Sequence, residues 1–202
     1  MRRSYITLLI GVMLMSGAAR QSMAQESIWA FNYNPASPLE DLQDYTNATS
    51  WRGWSFEGRW FMTGNVSLGG YIGYNGFFEE KPRSFYDINN TTINSKSWRY
   101  VYTLPVLVTT HYYIGEGWIR PYIGIGVGIY YIEQKLQFST FRTEEKNWRL
   151  GFAPEAGVFV PFGVLVNAGA LLSVKYNQVF YNVQNIDTLN YLNYSLGIVF
   201  KY

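Results

Sequence analysis

The stretch that decides the fold is Tyr191-Leu-Asn-Tyr-Ser-Leu-Gly-Ile-Val-Phe-Lys-Tyr202. Every second residue counted back from Tyr202 is apolar or aromatic, whereas the residues between them are mostly small or polar. Because side chains of a β-strand point alternately to opposite faces, this segment predicts a strand with one apolar face and one largely polar face. The apolar face of such a strand needs either a covering layer of protein or an apolar solvent.

Seven further segments repeat this alternation along the chain. The eight predicted strands cover residues 27–34, 51–62, 66–78, 97–113, 118–132, 147–160, 164–177 and 191–202. Long connections at 35–50, 79–96, 133–146 and 178–190 alternate with short turns at 63–65, 114–117 and 161–163. Eight antiparallel strands that begin and end on the same side of a membrane require four outer loops and three inner turns. The sequence therefore predicts an all-β, eight-stranded antiparallel transmembrane β-barrel with both termini in the periplasm.

Charged residues are separated from the apolar faces of these strands. An Arg or Lys on the lipid-facing side near the bilayer midplane costs roughly 2–4 kcal/mol, so a membrane barrel keeps its charges inside. The alternative, a soluble sandwich or lipocalin-like barrel, would place its apolar face inside and distribute charges over the outside. The observed separation favours the membrane barrel. The charged residues on the opposite, inward faces are Glu57, Arg59, Arg99, Arg120, Arg149, Glu155, Lys175 and Lys201.

Residues 1–24 predict a cleaved signal peptide ahead of a barrel domain at 25–202. Arg2 and Arg3 precede the apolar run Ile6–Met15, and Ser22-Met23-Ala24 offers small residues for cleavage. The alternative, a helical membrane anchor, would need roughly twenty apolar residues. The sequence has 16 Lys+Arg and 14 Asp+Glu, and residues 1–24 contain three arginines and no acid. The mature chain therefore has no basic excess, and nothing indicates nucleic-acid binding.

The composition argues against catalysis and against a cofactor. The chain has no cysteine, which excludes disulfides, a thiol nucleophile and a lipid attached through cysteine. Its single histidine, His111, lies on an inward face near the periplasmic end, where a structural, hydrogen-bonded role fits better than a catalytic triad. One histidine with two isolated inward acids is also a poor metal site. We therefore predict no catalytic residue, no metal site, no cofactor and no enzymatic activity.

The inward charges predict a salt-bridged plug in the lower lumen. Glu57 and Arg59 follow each other on the second strand, Arg120 begins the fifth, and Glu155 lies at a similar low level on the sixth. Buried charges must be paired, so these four side chains are expected to contact one another. An eight-stranded barrel has room inside for side chains and little else, so a wide water channel is not expected.

Three further inward cations, Arg99, Arg149 and Lys175, are expected near the outer mouth. No inward acid is predicted at their level, so they form a candidate site for an anionic ligand or a lipid phosphate. The alternative is that acids of the outer loops fold over and pair with them. Those acids are Glu79, Glu80, Glu144 and Glu145.

Several segments resemble small bacterial outer-membrane barrels of the OmpW- and OmpX-like kind. They are Arg120-Pro-Tyr-Ile-Gly-Ile-Gly-Val-Gly-Ile-Tyr-Tyr131, Asn65–Gly70, Ala153–Val158 and Ser195–Phe200. The resemblance spans essentially the whole mature chain. It implies export with periplasmic chaperones, insertion by the barrel assembly machinery, contact with outer-membrane lipids and no enzymatic activity. In the last strand, the residues expected to form the assembly signal are Tyr194, Leu196, Gly197, Ile198, Phe200 and Tyr202.

The function expected from the sequence is that of a non-enzymatic outer-membrane barrel, structural or binding and passing small molecules at its outer mouth. Two alternatives remain. The first is an adhesion or host-interaction protein that acts through outer loops such as 79–96 and 133–146. The second is an outer-membrane lipid-modifying enzyme, which would need a catalytic set near the lipid face, whereas His111 points inward.

Overall fold

The computed structural model describes residues 26–88, 91–115, 117–138, 141–163, 166–183 and 186–202. The predicted signal peptide lies outside these ranges. Within them, no helix has the length and apolar character needed to cross a membrane. The elements are β1 (Ser27–Tyr33), β2 (Ala36–Leu39), α1 (Glu40–Tyr45), β3 (Trp54–Phe61), β4 (Val66–Ile88), β5 (Thr91–Tyr113), β6 (Arg120–Phe138), β7 (Phe141–Pro161), β8 (Ala168–Val183) and β9 (Ile186–Lys201).

Eight of these strands close into a ring. Each of β3 to β8 pairs antiparallel with the next strand, β1 pairs with β3, and β1 also pairs with β9. At the closing seam Ser27 N–H donates to the Tyr202 carbonyl at 3.0 Å and Tyr202 N–H donates back at 2.8 Å. β2 pairs with β9 beyond the end of β1. The predicted eight-stranded antiparallel barrel is confirmed, and its first and last strands meet at the end with the short turns.

The two faces of the wall differ as predicted. On β9, Leu196 and Phe200 are each 58% exposed, whereas Tyr191 and Val199 are fully buried. Inward side chains form two cores, a lower one near the short turns and an upper one near the mouth. The lower core contains Ile28, Ala30, Phe61, Tyr113, Tyr122, Phe159, Leu171 and Val199. The upper core contains Ala36, Leu42, Tyr71, Phe77, Val101, Leu107, Tyr130, Ile132, Ala153, Val179, Tyr181, Leu189 and Tyr191.

The predicted outer loops at 79–96, 133–146 and 178–190 are wrong as loops, because most of their residues continue the strands as hairpins. β4 and β5 have 23 residues each, whereas a strand crosses a bilayer with about 9–11. Above the bilayer both faces of a strand meet water, so the apolar alternation stops in the sequence although backbone pairing continues.

A four-stranded sheet therefore projects from the ring. Above Tyr74, β4 pairs with β5 alone, because β3 begins at Trp54. On the other side, residues 141–150 of β7 pair with β6 alone, since β7 meets β8 only from Gly151 to Pro161. The projecting sheet, consisting of the outer parts of β4, β5, β6 and β7, thus has two edges without a strand neighbour among the described residues.

The first predicted loop, 35–50, also has structure, since β2 and α1 fold inward across the mouth. We call residues 36–46 the lid. Its Leu42 is fully buried in the upper core. Asn190 of β9 donates from Nδ2 to the Glu40 carboxylate, and Thr188 N–H donates to Asp41 Oδ2 at 3.2 Å. These contacts hold the lid against the outer end of β9.

Candidate functional site

The lower lumen is organised around one arginine. Arg59 on β3 is 1% exposed, and its Nη2 donates to Glu57 Oε1 at 2.8 Å and to Glu155 Oε1 at 3.2 Å. Arg59 also donates to the hydroxyl of Tyr113 at 2.8 Å and to that of Tyr122 at 3.1 Å. The short connection to β4 at residues 62–65 keeps Arg59 low in the barrel, where strands from both sides of the ring can reach it.

Glu155 on β7 links this arginine to a second cation. Lys175 Nζ of β8 lies 3.0 Å from Glu155 Oε2 and 3.4 Å from the centre of the Tyr71 ring. Glu155 also accepts a hydrogen bond from the Tyr122 hydroxyl. We call Glu57, Arg59, Glu155 and Lys175 the charge cluster. Two acids face two cations in it, which satisfies the requirement that buried charges be paired.

The heights predicted for two lumen cations, Lys175 and Arg120, were wrong. Lys175, expected near the mouth, lies low because β8 begins at Ala168 rather than at residue 164, and the β7–β8 register sets Lys175 directly across from Glu155. Arg120, expected in the plug, lies below it because it is the first residue of β6, at the level of Phe159. There its Nη2 donates to the Gly64 carbonyl at 2.9 Å.

The predicted anion site at the mouth is not assembled as a set of three cations. Lys175 belongs to the charge cluster, and Arg99 donates from Nη1 to the Tyr45 carbonyl of the lid at 2.8 Å. Arg149 lies across from Tyr130 on the inward face of β7. Glu79 stands directly across from Arg99 on β4, and its carboxylate accepts a hydrogen bond from Asn47 N–H at 3.0 Å.

Two of the remaining loop acids, Glu80 and Glu144, contact lysines of the hairpins, whereas Glu145 stands across from the buried Gln134. Lys96 Nζ lies 2.6 Å from Glu80 Oε1, and Lys146 Nζ lies 2.7 Å from Glu144 Oε1. The hydrogen bond from Lys146 is the main cause that lowers the pKa of the exposed Glu144 carboxyl below its ordinary value. These pairs lie on the outward face of the hairpins, so they do not neutralise the lumen cations.

His111 has a serine and a carboxylate as neighbours, as in a catalytic triad, but the group is closed to substrate. Its Nδ1 lies 3.2 Å from Ser67 Oγ and its Nε2 lies 3.9 Å from Glu155 Oε2. His111 is 2% exposed and Ser67 is fully buried, so a substrate cannot reach the hydroxyl. Glu57, His111 and Glu155 could each offer a metal-ligand atom within 4.8 Å of the others. Arg59 and Lys175 already neutralise these carboxylates, which opposes a bound cation.

An asparagine ladder, which the sequence reasoning missed, crosses the upper lumen. Asn177 Nδ2 donates to Asn193 Oδ1 at 2.7 Å, Asn193 Nδ2 donates to Asn75 Oδ1 at 2.8 Å, and Asn75 Nδ2 donates to the Asn34 carbonyl at 2.8 Å. The Tyr130 hydroxyl completes it by donating to Asn177 at 3.0 Å. The alternation along each strand could have shown that these asparagines face inward. Which of them contact one another depends on the register between strands.

Outside the lumen, a cleft of about 480 Å³ lies between residues 49–52 and the outward face of β4 and β5. Its wall includes Tyr74, Phe78, Tyr100 and Tyr102. Two smaller grooves of about 290 Å³ each adjoin it through Tyr102. The proximity of Tyr74 to Tyr102 across two strands is a property of the β4–β5 register, which the sequence does not specify.

Comparison with known proteins gives similarity in structure alone. No protein-family model and no curated protein matches the chain. Ail, the attachment invasion locus protein of Yersinia pestis, solved in complex with the heparin analogue sucrose octasulfate, is 15% identical with a TM-score of 0.52, over 89% of this chain and 100% of that one. Neisserial surface protein A is 13% identical with a TM-score of 0.51, over 88% of this chain and 96% of that one.

A major outer membrane protein from Thermus thermophilus is 10% identical with a TM-score of 0.51, over 90% of this chain and 100% of that one. The chain has the fold of a small bacterial outer-membrane β-barrel. This confirms the resemblance inferred from the sequence at the level of fold. At these identities the similarity carries over no ligand and no site residue.

Proposed function

We propose that the protein is a non-enzymatic outer-membrane β-barrel that acts as a structural or binding protein through its outer surface. The observation that carries this proposal is the closed ring with apolar side chains exposed on its wall and the charge cluster buried inside it. With both termini in the periplasm, the short turns face the periplasm and the projecting sheet faces the outside of the cell. Residues 1–24 would direct export, and the outward residues of β9, from Tyr194 to Tyr202, would be read by the assembly machinery.

The filled lumen supports binding at the outer surface rather than passage through the barrel. Large side chains of the lower lumen such as Arg59, Tyr113 and Tyr122 are almost fully buried, and Tyr130 and Tyr191 fill the upper lumen. The lid lies over them with Leu42 in the same core. Small eight-stranded barrels commonly have an interior of this kind, just wide enough for side chains.

Two measurements on the purified, refolded protein test this proposal. On gels, the folded barrel should migrate anomalously until it is boiled. In planar bilayers it should show no sustained conductance, because side chains fill the lumen. Migration that does not change on boiling would overturn the barrel, and a steady open channel would overturn the closed lumen.

A second candidate function is adhesion, favoured by the projecting sheet. The β4 edge above Tyr74 has backbone groups without a strand neighbour among the described residues, and such an edge can accept an additional strand from a partner. If adhesion is the function, shortening the hairpins at 79–96 and 133–146 to tight turns should abolish binding to host cells or matrix. The matched control is the β8–β9 hairpin, shortened at 182–187, so that the lid contacts of Thr188 and Asn190 remain. Equal binding by wild type, by the protein with both hairpins shortened and by the control would exclude adhesion through the sheet.

A further inference from the structure

A row of aromatic rings lies on the outward face of β4 and β5. Tyr74 and Tyr102 have ring centroids 6.2 Å apart and planes 19° apart, and Tyr102 and Tyr100 repeat the same spacing and angle. Phe78 extends the row, with its centroid 4.8 Å from that of Tyr100. We call these four residues the aromatic platform. The three tyrosine rings are nearly parallel to one another, and the Phe78 ring is tilted by 34° from that of Tyr100.

Gly76 allows two of these rings to approach. It stands directly across from Tyr102 in the β4–β5 register. A Cβ atom at Gly76 would lie 3.2 Å from the Tyr102 ring and 3.5 Å from the Tyr74 hydroxyl. A larger residue would require the Tyr102 ring to shift by a few tenths of an ångström, so the glycine leaves room for this ring above the strand.

The platform forms one wall of a cleft rather than part of a smooth belt. Residues 49–52 form the opposite wall, and Trp51 among them is 68% exposed. The cleft of about 480 Å³ adjoins the groove beside Glu133 and Lys135 of β6, and Tyr74 and Tyr102 line both. An interfacial girdle needs only scattered aromatic residues, whereas a two-walled cleft of this volume is the shape of a ligand site.

Polar groups lie in the cleft and in the groove beside it. Arg52 lines the cleft, has no hydrogen-bond or ion-pair partner among the described residues, and lies within electrostatic reach of Tyr74. In the adjoining groove Lys135 Nζ lies 2.8 Å from Glu133 Oε1 and 5.2 Å from the centre of the Tyr102 ring. The site thus combines aromatic faces, a carboxylate with a lysine, and a guanidinium that is free to bind a ligand.

The platform lies at the upper limit of the apolar belt. Below it on β5, Val106 and Val108 face outward and are 39% and 64% exposed. Above it, the exposed pair Glu80 and Lys96 joins the two strands. In the orientation of the proposed function, this boundary coincides with the headgroup region of the outer leaflet.

We propose that this cleft binds the phosphorylated sugar headgroup of an outer-leaflet glycolipid. The C–H face of a sugar ring would stack on Tyr100 and Tyr102, since aromatic faces carry partial negative charge. Glu133 and Lys135 would bond sugar hydroxyls, and Arg52 would bind a phosphate, for which guanidinium geometry is suited. The acyl chains would lie along the apolar belt below. This inference deepens the proposed function and rests on its membrane orientation.

The test measures binding by the folded protein in detergent micelles with an acylated, bisphosphorylated glucosamine disaccharide as probe. Wild type should bind it saturably and prefer it to phosphatidylglycerol, which has a phosphate but no sugar, and to the dephosphorylated glycolipid. Tyr100→Leu/Tyr102→Leu and Arg52→Ala should each weaken binding at least about tenfold. Arg52→Ala should also reduce the salt dependence of binding. Arg52 lies outside the strands, so its replacement leaves the barrel able to close.

The controls are Tyr112→Leu, an outward tyrosine at the other end of β5, and Lys201→Ala, a cation near the short turns. Both should bind as wild type does. Equal affinity in all variants, or equal affinity for phosphatidylglycerol, would overturn the glycolipid site. Unaltered heat-dependent migration with no selective binding would remove this inference alone. Loss of heat-dependent migration in wild type would remove the proposed function and this inference together.

Discussion

At the scale of single residues, two separate factors decide where a charged side chain lies in the lumen: its alternation along the strand and its height along the barrel axis. Parity along each strand placed Glu57, Arg59 and Glu155 inside the barrel, and the structure brings them together. Height depends on turn length and on the stagger between strands. For that reason Lys175 takes a place in the charge cluster that the sequence assigned to Arg120.

Replacing the central arginine should destabilise the barrel strongly. Arg59→Met leaves Glu57 and Glu155 with Lys175 as the remaining cation, and removing one partner from a buried charge network costs about 3–5 kcal/mol. The measurement is the free energy of unfolding by urea in lipid vesicles. Arg120→Met is the matched control, because Arg120 donates to a turn carbonyl outside the cluster. Equal stability of the two variants would contradict the assigned role of Arg59.

At the scale of elements, the lid and the hairpins were not apparent in the sequence. Residues 35–50 have neither helical nor alternating periodicity long enough to predict β2 and α1, and α1 has only six residues. Isolated helices of that length are unstable in water. Burial of Leu42 in the upper core and the contacts of Glu40 and Asp41 with the outer end of β9 hold this helix in place.

Weakening the lid should expose the upper lumen to water. Thr103 is fully buried in the upper lumen, where it donates to the Tyr191 hydroxyl, and the native chain has no cysteine, so Thr103→Cys provides a single reactive probe. Adding Leu42→Asp should raise its rate of maleimide labelling by about tenfold or more, because a buried leucine contact is lost and local opening becomes easier. The control, Gln43→Asp on the exposed side of α1, should leave the rate unchanged. No difference between the two would show that Leu42 does not hold the lid closed.

At the scale of the whole molecule, closure of the ring makes the last strand indispensable. Phe200 pairs with Trp29 of β1 and with Ala168 of β8, so β9 joins the two ends of the wall. Within lipid, backbone groups of an open edge have no water to bond. The outward residues of β9 therefore matter both as a recognition signal and as the seam.

Deleting residues 200–202 should prevent assembly. It removes the pairs that Phe200 and Lys201 make with β1 and the two backbone bonds between Ser27 and Tyr202. Each unsatisfied group left in the hydrocarbon region costs several kcal/mol. The amount of heat-modifiable protein in outer-membrane fractions measures the effect, with Phe200→Leu as a control that keeps the backbone. Normal amounts of the truncated protein would contradict the importance of this seam.

The sequence by itself determined the class of fold and the content of the lumen. Alternation in 191–202 and seven other segments predicts the strands, their number and the side on which each residue lies, because a period of two is a local property of the backbone. The same local rule identified Glu57, Arg59 and Glu155 as inward charges and the apolar belt as outward.

Only the tertiary structure decided which of these residues meet. The partnership of Glu155 with Lys175, the asparagine ladder and the proximity of Tyr74 to Tyr102 all depend on register between strands distant in the chain. Register follows from the stagger required to close the ring and from turn lengths, and neither changes the period of a single strand. The lid and the projecting sheet depend on contacts with strands of the closed ring, so no local sequence pattern predicts them.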